Sequence, residues 1–125
     1  MATLNLTSTI SASGLTSDSI SSSVLKSATV TQGGIARMNI TSVVGGTAQV
    51  VAAHADHTAG AYVYLKNADA TRTIFIKVGA GAIAINDITL LPGAWAVFPW
   101  SAATSNIEAY ASAATGSLLE HSVFE

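Results

Sequence analysis

The chain has 125 residues, the usual length of one domain, and no cysteine. Only 10% of its residues are charged, against about 25% in an average soluble domain, and its 5 basic and 7 acidic residues give a formal net charge of -2. This composition excludes disulfides, thiolate metal sites and cysteine nucleophiles. Because a basic surface is missing, we expect no nucleic-acid partner.

Alanine, serine and threonine make up about two fifths of the sequence, so few charges are left to solvate the surface. One interpretation is a surface buried against copies of the chain or against a larger assembly; the other is a soluble monomer covered by hydroxyl groups. No apolar run approaches the roughly 20 residues of a membrane span, and the N-terminus lacks a secretory signal. We therefore expect cytoplasmic synthesis and no membrane partner.

The first quarter of the chain predicts a strand, a loop and a second strand. Leu4 and Leu6 alternate with polar residues, which is the period of a half-buried strand. Residues 11–23 are rich in serine and are expected to form a loop or a loosely paired edge, and residues 24–30 resume a strand. Residues 1–31 are accordingly predicted to be an extended N-terminal arm or an edge strand.

Glycine pairs and aromatic runs predict two hairpins in the middle of the chain. Gly33-Gly34 and Gly45-Gly46 bracket a strand over residues 35–44, and residues 47–53 follow as its hairpin partner. The aromatic and β-branched run 61–65 is followed, after a short polar link, by 73–78. We predict that these two runs also form a hairpin.

The remaining residues predict four more strands, at 83–91, 94–100, 107–111 and 118–124. Pro92-Gly93 has the chemistry of a type II turn, because proline fixes φ and glycine accepts the positive φ that follows. The alanine-rich stretches 52–55 and 109–114 have some helical propensity, which their β-branched and glycine neighbours oppose. The chain is thus predicted to be all-β, a single domain over residues 1–125 forming an antiparallel β-sandwich or jelly roll of nine to ten short strands.

No group of residues in the sequence predicts catalysis, a cofactor or a metal site. His54, Asp56 and His57 are chemically suitable ligands, but their spacing lacks a third ligand on the same face, and a solvated polar turn explains them more simply. His121 stands next to Glu120 on a predicted strand, where neighbours face opposite ways. No serine lies in a Gly-x-Ser-x-Gly turn. We expect a protein that is not an enzyme and carries no cofactor or metal.

The strand over residues 94–100 is apolar on both faces. Alternation points Trp95 one way, and Phe98 and Trp100 the other. A strand in a two-layer sandwich needs only one apolar face, so the second is expected to be covered by a loop, an arm or a neighbouring subunit. Together with Tyr62 and Tyr64 of the aromatic run, these three residues are our candidate interface; the alternative is that they form part of the core.

Several segments of this sequence resemble the small β-sandwich virion proteins of tailed bacteriophages. These segments are 62–67 (YVYLKN), 73–76 (TIFI), 90–93 (LLPG), 98–99 (FP), 107–111 (IEAYA) and a last strand ending near Glu120. The stretch that contains them, residues 62–120, covers about half of the chain. In the proteins that they resemble, such turns and strands form the sandwich scaffold, and members serve as capsid decoration proteins or as parts of tails and fibres.

The resemblance implies a non-enzymatic virion protein, most simply a capsid decoration or cement protein. Its expected partners are copies of itself, as a trimer, and the major capsid protein of the same particle, after synthesis in the cytoplasm of the host bacterium. One alternative is a tail or fibre module that recognises host glycans through Trp95 or Trp100. Another is a free barrel that binds a small ligand, which would need a large interior cavity.

Overall fold

A computed structural model of the protein describes residues 2–12, 20–30, 34–57, 60–79, 87–101 and 105–125. These residues form ten β-strands and one short 3₁₀ turn, which confirms the predicted all-β class. By their internal contacts they fall into two compact units, Met1–Thr31 and Gln32–Glu125. The first unit ends where the sequence predicts the arm to end; that both units make one domain stays a prediction.

The first unit is a two-stranded antiparallel sheet, which we call the arm hairpin. Its strands are β1 (Ala2–Ala12) and β2 (Ile20–Val30), with Ala2 opposite Val30 and Ala12 opposite Ile20. Both strands extend into the stretch 11–23, for which the sequence predicts a loop or a loosely paired edge, and residues 13–19 of this stretch lie outside the described residues. Serine suits these strands because its hydroxyl finds a partner across the sheet, as where Ser27 Oγ donates to Asn5 Oδ1 at 2.7 Å.

The second unit contains two four-stranded sheets, consistent with the predicted β-sandwich. Its strands are β3 (Ala36–Ile40), β4 (Gln49–Ala52), β5 (Ala61–Asn67), β6 (Ile74–Val78), β7 (Ile88–Leu90), β8 (Trp95–Trp100), β9 (Ile107–Ala111) and β10 (Ser117–Phe124). The first sheet has the order β3-β10-β5-β8 and the second the order β4-β9-β6-β7, with antiparallel pairing throughout. Side chains of both sheets meet in one core that includes Ile40, Leu65 and Leu119 from the first and Ile74, Ile76 and Ile107 from the second.

Both hairpins predicted in the middle of the chain are wrong. Strand β3 pairs with β10 whereas β4 pairs with β9, and β5 and β6 likewise lie in different sheets. Of the neighbours along the sandwich chain, only β6 and β7 pair with each other. The physical reason is that a polar link between two strands can either reverse the chain within a sheet or carry it to the opposite sheet, and its turn residues do not distinguish these courses.

Asn67, at the end of β5, fixes one of these links between the sheets. Its side chain is fully buried, and its Nδ2 donates to the carbonyls of Arg72 (2.7 Å) and Leu90 (2.9 Å), one on the link and the other on the second sheet. Its Oδ1 accepts from the backbone N–H of Asp69 at 3.0 Å. The amide thus satisfies three backbone groups of the link and of the neighbouring strand, which stabilises the crossing.

The predicted turn at Pro92-Gly93 is confirmed, and it joins β7 to β8 across the two sheets. Gly93 has φ = 75°, and the N–H of Ala94 donates to the carbonyl of Leu91 at 2.8 Å, as a type II turn requires. The Gly93 N–H in turn donates to the backbone carbonyl of Asn67 at 3.1 Å. The Lys-Asn strand end and the Leu-x-Pro-Gly turn, which the sequence shows as separate motifs, therefore form one hydrogen-bonded unit.

Helical structure in the described ranges is limited to the 3₁₀ turn His54–Asp56, which falls at the edge of an alanine-rich stretch that we expected to be free of helix. The other such stretch, 109–114, continues β9 as far as Ala111 and then turns. No helix within these ranges is long or apolar enough to cross a membrane.

Candidate interface

The outward surface of the first sheet carries the apolar residues that its strands do not bury. On β5 the buried residues alternate with Tyr62, Tyr64 and Lys66, and on β8 Trp95 and Val97 point the same way as these three. The register places Tyr62 opposite Pro99, Tyr64 opposite Val97 and Lys66 opposite Trp95. We call this surface the outer face; it consists of Tyr62, Tyr64, Lys66, Trp95, Val97 and Pro99 with the β10 residues Leu118, Glu120, Ser122 and Phe124 and the β3 residues Arg37 and Asn39.

The structure brings together three of the five predicted interface residues and separates the other two. Trp95 is 57% exposed, and Tyr62 and Tyr64 are half-buried on the same outer face. Trp100 is only 5% exposed and belongs to the core, against which Phe98 also packs. For Trp100 the core alternative therefore holds, while the role of the outer face as an interface stays a prediction.

Glu120 organises the polar part of the outer face, a role that sequence reasoning missed. Its Oε1 accepts from the Tyr64 hydroxyl at 3.0 Å, and its Oε2 accepts from Nε and Nη2 of Arg37, both at 3.2 Å. The hydrogen bond from Tyr64 lowers the pKa of Glu120; burial opposes this effect, and the Arg37 guanidinium adds to it. Burial, followed by the nearby Glu120 carboxylate, raises the pKa of Tyr64. The two strands that flank β10 thus hold a fixed carboxylate in the middle of the face.

Part of the outer face is covered by the chain itself. Ser122 lies opposite Tyr64 in the register, and yet it is 1% exposed. Its Oγ accepts from the backbone N–H of Gly34 at 3.3 Å, so the segment leading into β3 contacts this end of β10. Trp95, on the far edge of the sheet, remains exposed.

The outward surface of the second sheet is different. Tyr110 faces outward by register, opposite Phe75, and Lys77 lies opposite Glu108 on the same side. Tyr110 is nevertheless 1% exposed and Lys77 7% exposed. Burial, with a smaller effect of the Glu108 charge, raises the pKa of Tyr110. Because its large central residues are already buried, this surface offers less to a partner than the outer face does.

The histidine cluster is more ordered than the predicted solvated turn. His57 Nδ1 lies 3.0 Å from Glu125 Oε1, both side chains are largely buried, and the His57 ring meets Trp100 edge-on with the ring centroids 5.4 Å apart. The neighbouring His54 N–H donates to Asn106 Oδ1 at 3.0 Å. Across the described part of the chain, no three His, Cys, Asp or Glu side chains are grouped to hold a metal ion. The cluster connects the 3₁₀ turn to the sandwich, and the absence of a metal or catalytic role stays a prediction.

His121 and Glu120 lie on opposite sides of β10, as the sequence predicts for neighbours on a strand. His121 faces the same way as the inward Leu65, and burial lowers the pKa of its imidazole. Glu120 instead faces outward toward Tyr64. The pair forms no dyad.

Comparison of the chain with protein-family models, with curated proteins and with solved structures gives no match.

Proposed function

We propose that the protein is a non-enzymatic structural component of a tailed-phage particle, a capsid decoration or cement protein. In this proposal the outer face docks on the major capsid protein, and copies of the chain associate with one another. The observation that carries it is Trp95, a 57% exposed indole on an aromatic sheet face of a chain with only 10% charged residues. Exposed tryptophan and tyrosine are the residue types that most often dominate binding energy at protein interfaces.

The geometry of the outer face suits a rigid docking surface. Its side chains stand on paired strands, so little backbone entropy is lost when a partner binds. The Glu120 carboxylate already has fixed hydrogen bonds to Tyr64 and Arg37 and would provide an ordered polar group in the middle of the docking surface. On a capsid lattice, each copy would add a modest binding energy, and self-association would multiply it.

The test is to locate the protein on purified particles of the phage that encodes it. We expect gold-labelled antibody against this chain to decorate heads in electron micrographs. We also expect purified protein to co-sediment with heads that lack it, and Trp95→Lys to abolish the co-sedimentation. Val44→Lys is the matched control, because Val44 is 49% exposed but lies outside the sheets. Labelled tails, unlabelled particles, or equal loss with both variants would contradict the proposal.

A second candidate function is glycan recognition by a tail or fibre, favoured by the exposed Trp95 indole standing opposite Lys66. An exposed indole face stacks on sugar rings, and a polar neighbour can bind a sugar hydroxyl. Binding of the pure protein to host surface polysaccharide, lost in Trp95→Ala, together with label on the tails, would favour this function over capsid decoration.

A further inference from the structure

One row of side chains crosses the outer face from edge to edge. Arg37 of β3 lies opposite Glu120 of β10, and Glu120 lies opposite Lys66 of β5 on its other side. Lys66 in turn lies opposite Trp95 of β8. Neighbouring strands are about 4.8 Å apart, so these four positions span about 14 Å. We call them the charged row; it presents, in order, a cation, an anion, a cation and an indole.

The first cation of the charged row is already paired. Glu120 Oε2 accepts from Nε and Nη2 of Arg37, both at 3.2 Å, and Oε1 accepts from the Tyr64 hydroxyl at 3.0 Å. Both oxygens of the carboxylate therefore have a donor within the chain. The charge of Glu120 balances that of Arg37, and the charge of Lys66 is left over.

Among the described residues of the second unit, Lys66 is the one basic residue that is neither paired nor buried. Four of the five basic residues of the chain lie in this unit. Arg37 and Arg72 form ion pairs at 3.2 Å and 3.3 Å, and Lys77 is 7% exposed. Lys66 is half-buried, and no described residue forms an ion pair with it. Its ammonium group is therefore available to an acceptor from outside the chain.

The outer face is positive although the chain is negative. Its charged residues are two cations, Arg37 and Lys66, and one anion, Glu120, whereas the formal net charge of the whole chain is -2. One uncompensated cation is too few for a nucleic-acid backbone, because proteins that bind one neutralise several phosphates. Beside an exposed indole, a single ammonium group instead suits a single carboxylate on an otherwise apolar protein surface.

We propose that the outer face recognises an acidic segment of its protein partner, in which an aspartate or glutamate pairs with Lys66 and a neighbouring apolar side chain packs on Trp95. The charged row sets this order, with the carboxylate toward the middle of the sheet and the apolar side chain at the β8 edge. A basic residue in place of the carboxylate would bring two ammonium groups together, so the row also rejects wrong partners. This inference rests on the proposed function, because it names the chemistry of the surface on which a decoration protein would dock.

A matched pair of peptides tests the recognition without the particle. In extended acetyl-Leu-Ser-Glu-Ser-Leu-amide the glutamate and both leucines lie on one side, and the control peptide has glutamine in place of glutamate. The chain has two tryptophans, so NMR can follow the indole N–H of Trp95 beside that of the buried Trp100. We expect the glutamate peptide to shift the Trp95 signal, to bind about tenfold more tightly than the control, and to leave the Trp100 signal in place.

Salt and a sugar acid complete this experiment. Raising the salt from about 0.1 M to about 1 M shortens the Debye length from about 10 Å to about 3 Å and should remove most of the preference for glutamate. Equal binding of the two peptides, no shift with either, or a stronger response to glucuronate than to the glutamate peptide would overturn the proposal. The last result would mean that the row binds an acidic sugar instead of a protein.

Three variants of Lys66 assign the preference to its charge. Lys66→Arg keeps the charge, Lys66→Met removes it at similar length, and Lys66→Glu reverses it. We expect the preference for the glutamate peptide to persist in the first variant and to vanish in the second. In the third it should become a preference for a peptide with lysine at the central position. An unchanged Trp100 signal shows that each variant is folded, and a glutamate preference that survives in folded Lys66→Met contradicts the proposal.

Phage heads separate this inference from the proposed function. If the natural chain co-sediments with heads, and neither salt nor Lys66→Glu weakens that binding, the docking stands and the acidic partner is wrong. If the natural chain does not bind heads but prefers the glutamate peptide through Lys66, the recognition chemistry stands and the proposed function is wrong.

Discussion

Trp95 and Trp100 begin and end the same strand, and the structure places them in opposite environments. The two residues are five positions apart, an odd number, so alternation sends their side chains to opposite sides of β8. Trp100 is 5% exposed within the core, and Trp95 is 57% exposed on the outer face. The comparison teaches that the side of the sheet decides whether an aromatic residue stabilises the fold or is available for binding. The residue type alone does not reveal that side.

The largest expected effect is that of Trp100→Asp. The substitution removes a buried indole together with its edge contact to His57, and it places a carboxylate in the core. We expect a cost of several kcal/mol out of the roughly 5–15 kcal/mol that stabilise a domain, and therefore loss of the β signal in circular dichroism. Trp95→Asp is the control for the same chemical change. Equal melting of the two variants would contradict the contrast between the two faces.

A smaller loss is expected from Asn67→Ala. The variant leaves the carbonyls of Arg72 and Leu90 without their donor, and water cannot easily replace it at the buried Leu90 carbonyl. We expect the free energy of unfolding in urea to fall by about 2–3 kcal/mol. Asn106→Ala, which removes only the acceptor of the His54 N–H, should cost about 1 kcal/mol. The opposite ranking would mean that Asn67 does not stabilise the crossing between the sheets.

Acid should destabilise the sandwich through two carboxylates, Glu120 on the outer face and Asp69 on the link between β5 and β6. Hydrogen bonds lower the pKa of Glu120 below its ordinary 4.5, and backbone hydrogen bonds from Thr71 and Arg72 lower that of Asp69 below 3.8. A carboxyl with a lowered folded-state pKa contributes stability that is present above its ordinary pKa and lost as the pH falls through the lowered value. We expect the melting temperature to fall in that range, and to fall less in Glu120→Gln and in Asp69→Asn. If the melting temperature of both variants falls with pH as it does in the natural chain, these two carboxylates are not the cause of the acid sensitivity.

The smallest effect on stability is expected from Trp95→Lys. Since the indole is already largely exposed, the free energy of unfolding should change by no more than about 0.5 kcal/mol. Thermal melts of the variant and of Val44→Lys should therefore overlap with that of the natural chain. A marked destabilisation by Trp95→Lys alone would show that Trp95 is part of the fold and would weaken its role in docking.

Local alternation predicted most strands and the Pro92-Gly93 turn, because these depend on residues close together in the sequence. The sheet partners could not be predicted in this way, since β3 meets β10 near the other end of the chain. The Glu120 network was missed for the same reason: Arg37 lies 83 positions from Glu120, and Tyr64 lies 56 positions from it. In the arm, the serine content predicted a loop or a loosely paired edge where the structure has two regular strands, because hydroxyl pairs between strands have no local signature.

The position of β10 has a consequence for how the chain folds during synthesis. Strand β10 comes last along the chain but lies between β3 and β5, and in the described structure β3 has no other partner. The ribosome therefore makes β3 and β5 well before β10, the strand that joins them. The contacts of β3 and β5 with β10 connect residues that are far apart in the sequence, which slows folding. Until β10 emerges, the first sheet is incomplete and its edges are open to aggregation. Because aggregation depends on the concentration of incomplete chains, a low expression level should thus raise the soluble yield more for this protein than for a sandwich built of consecutive hairpins.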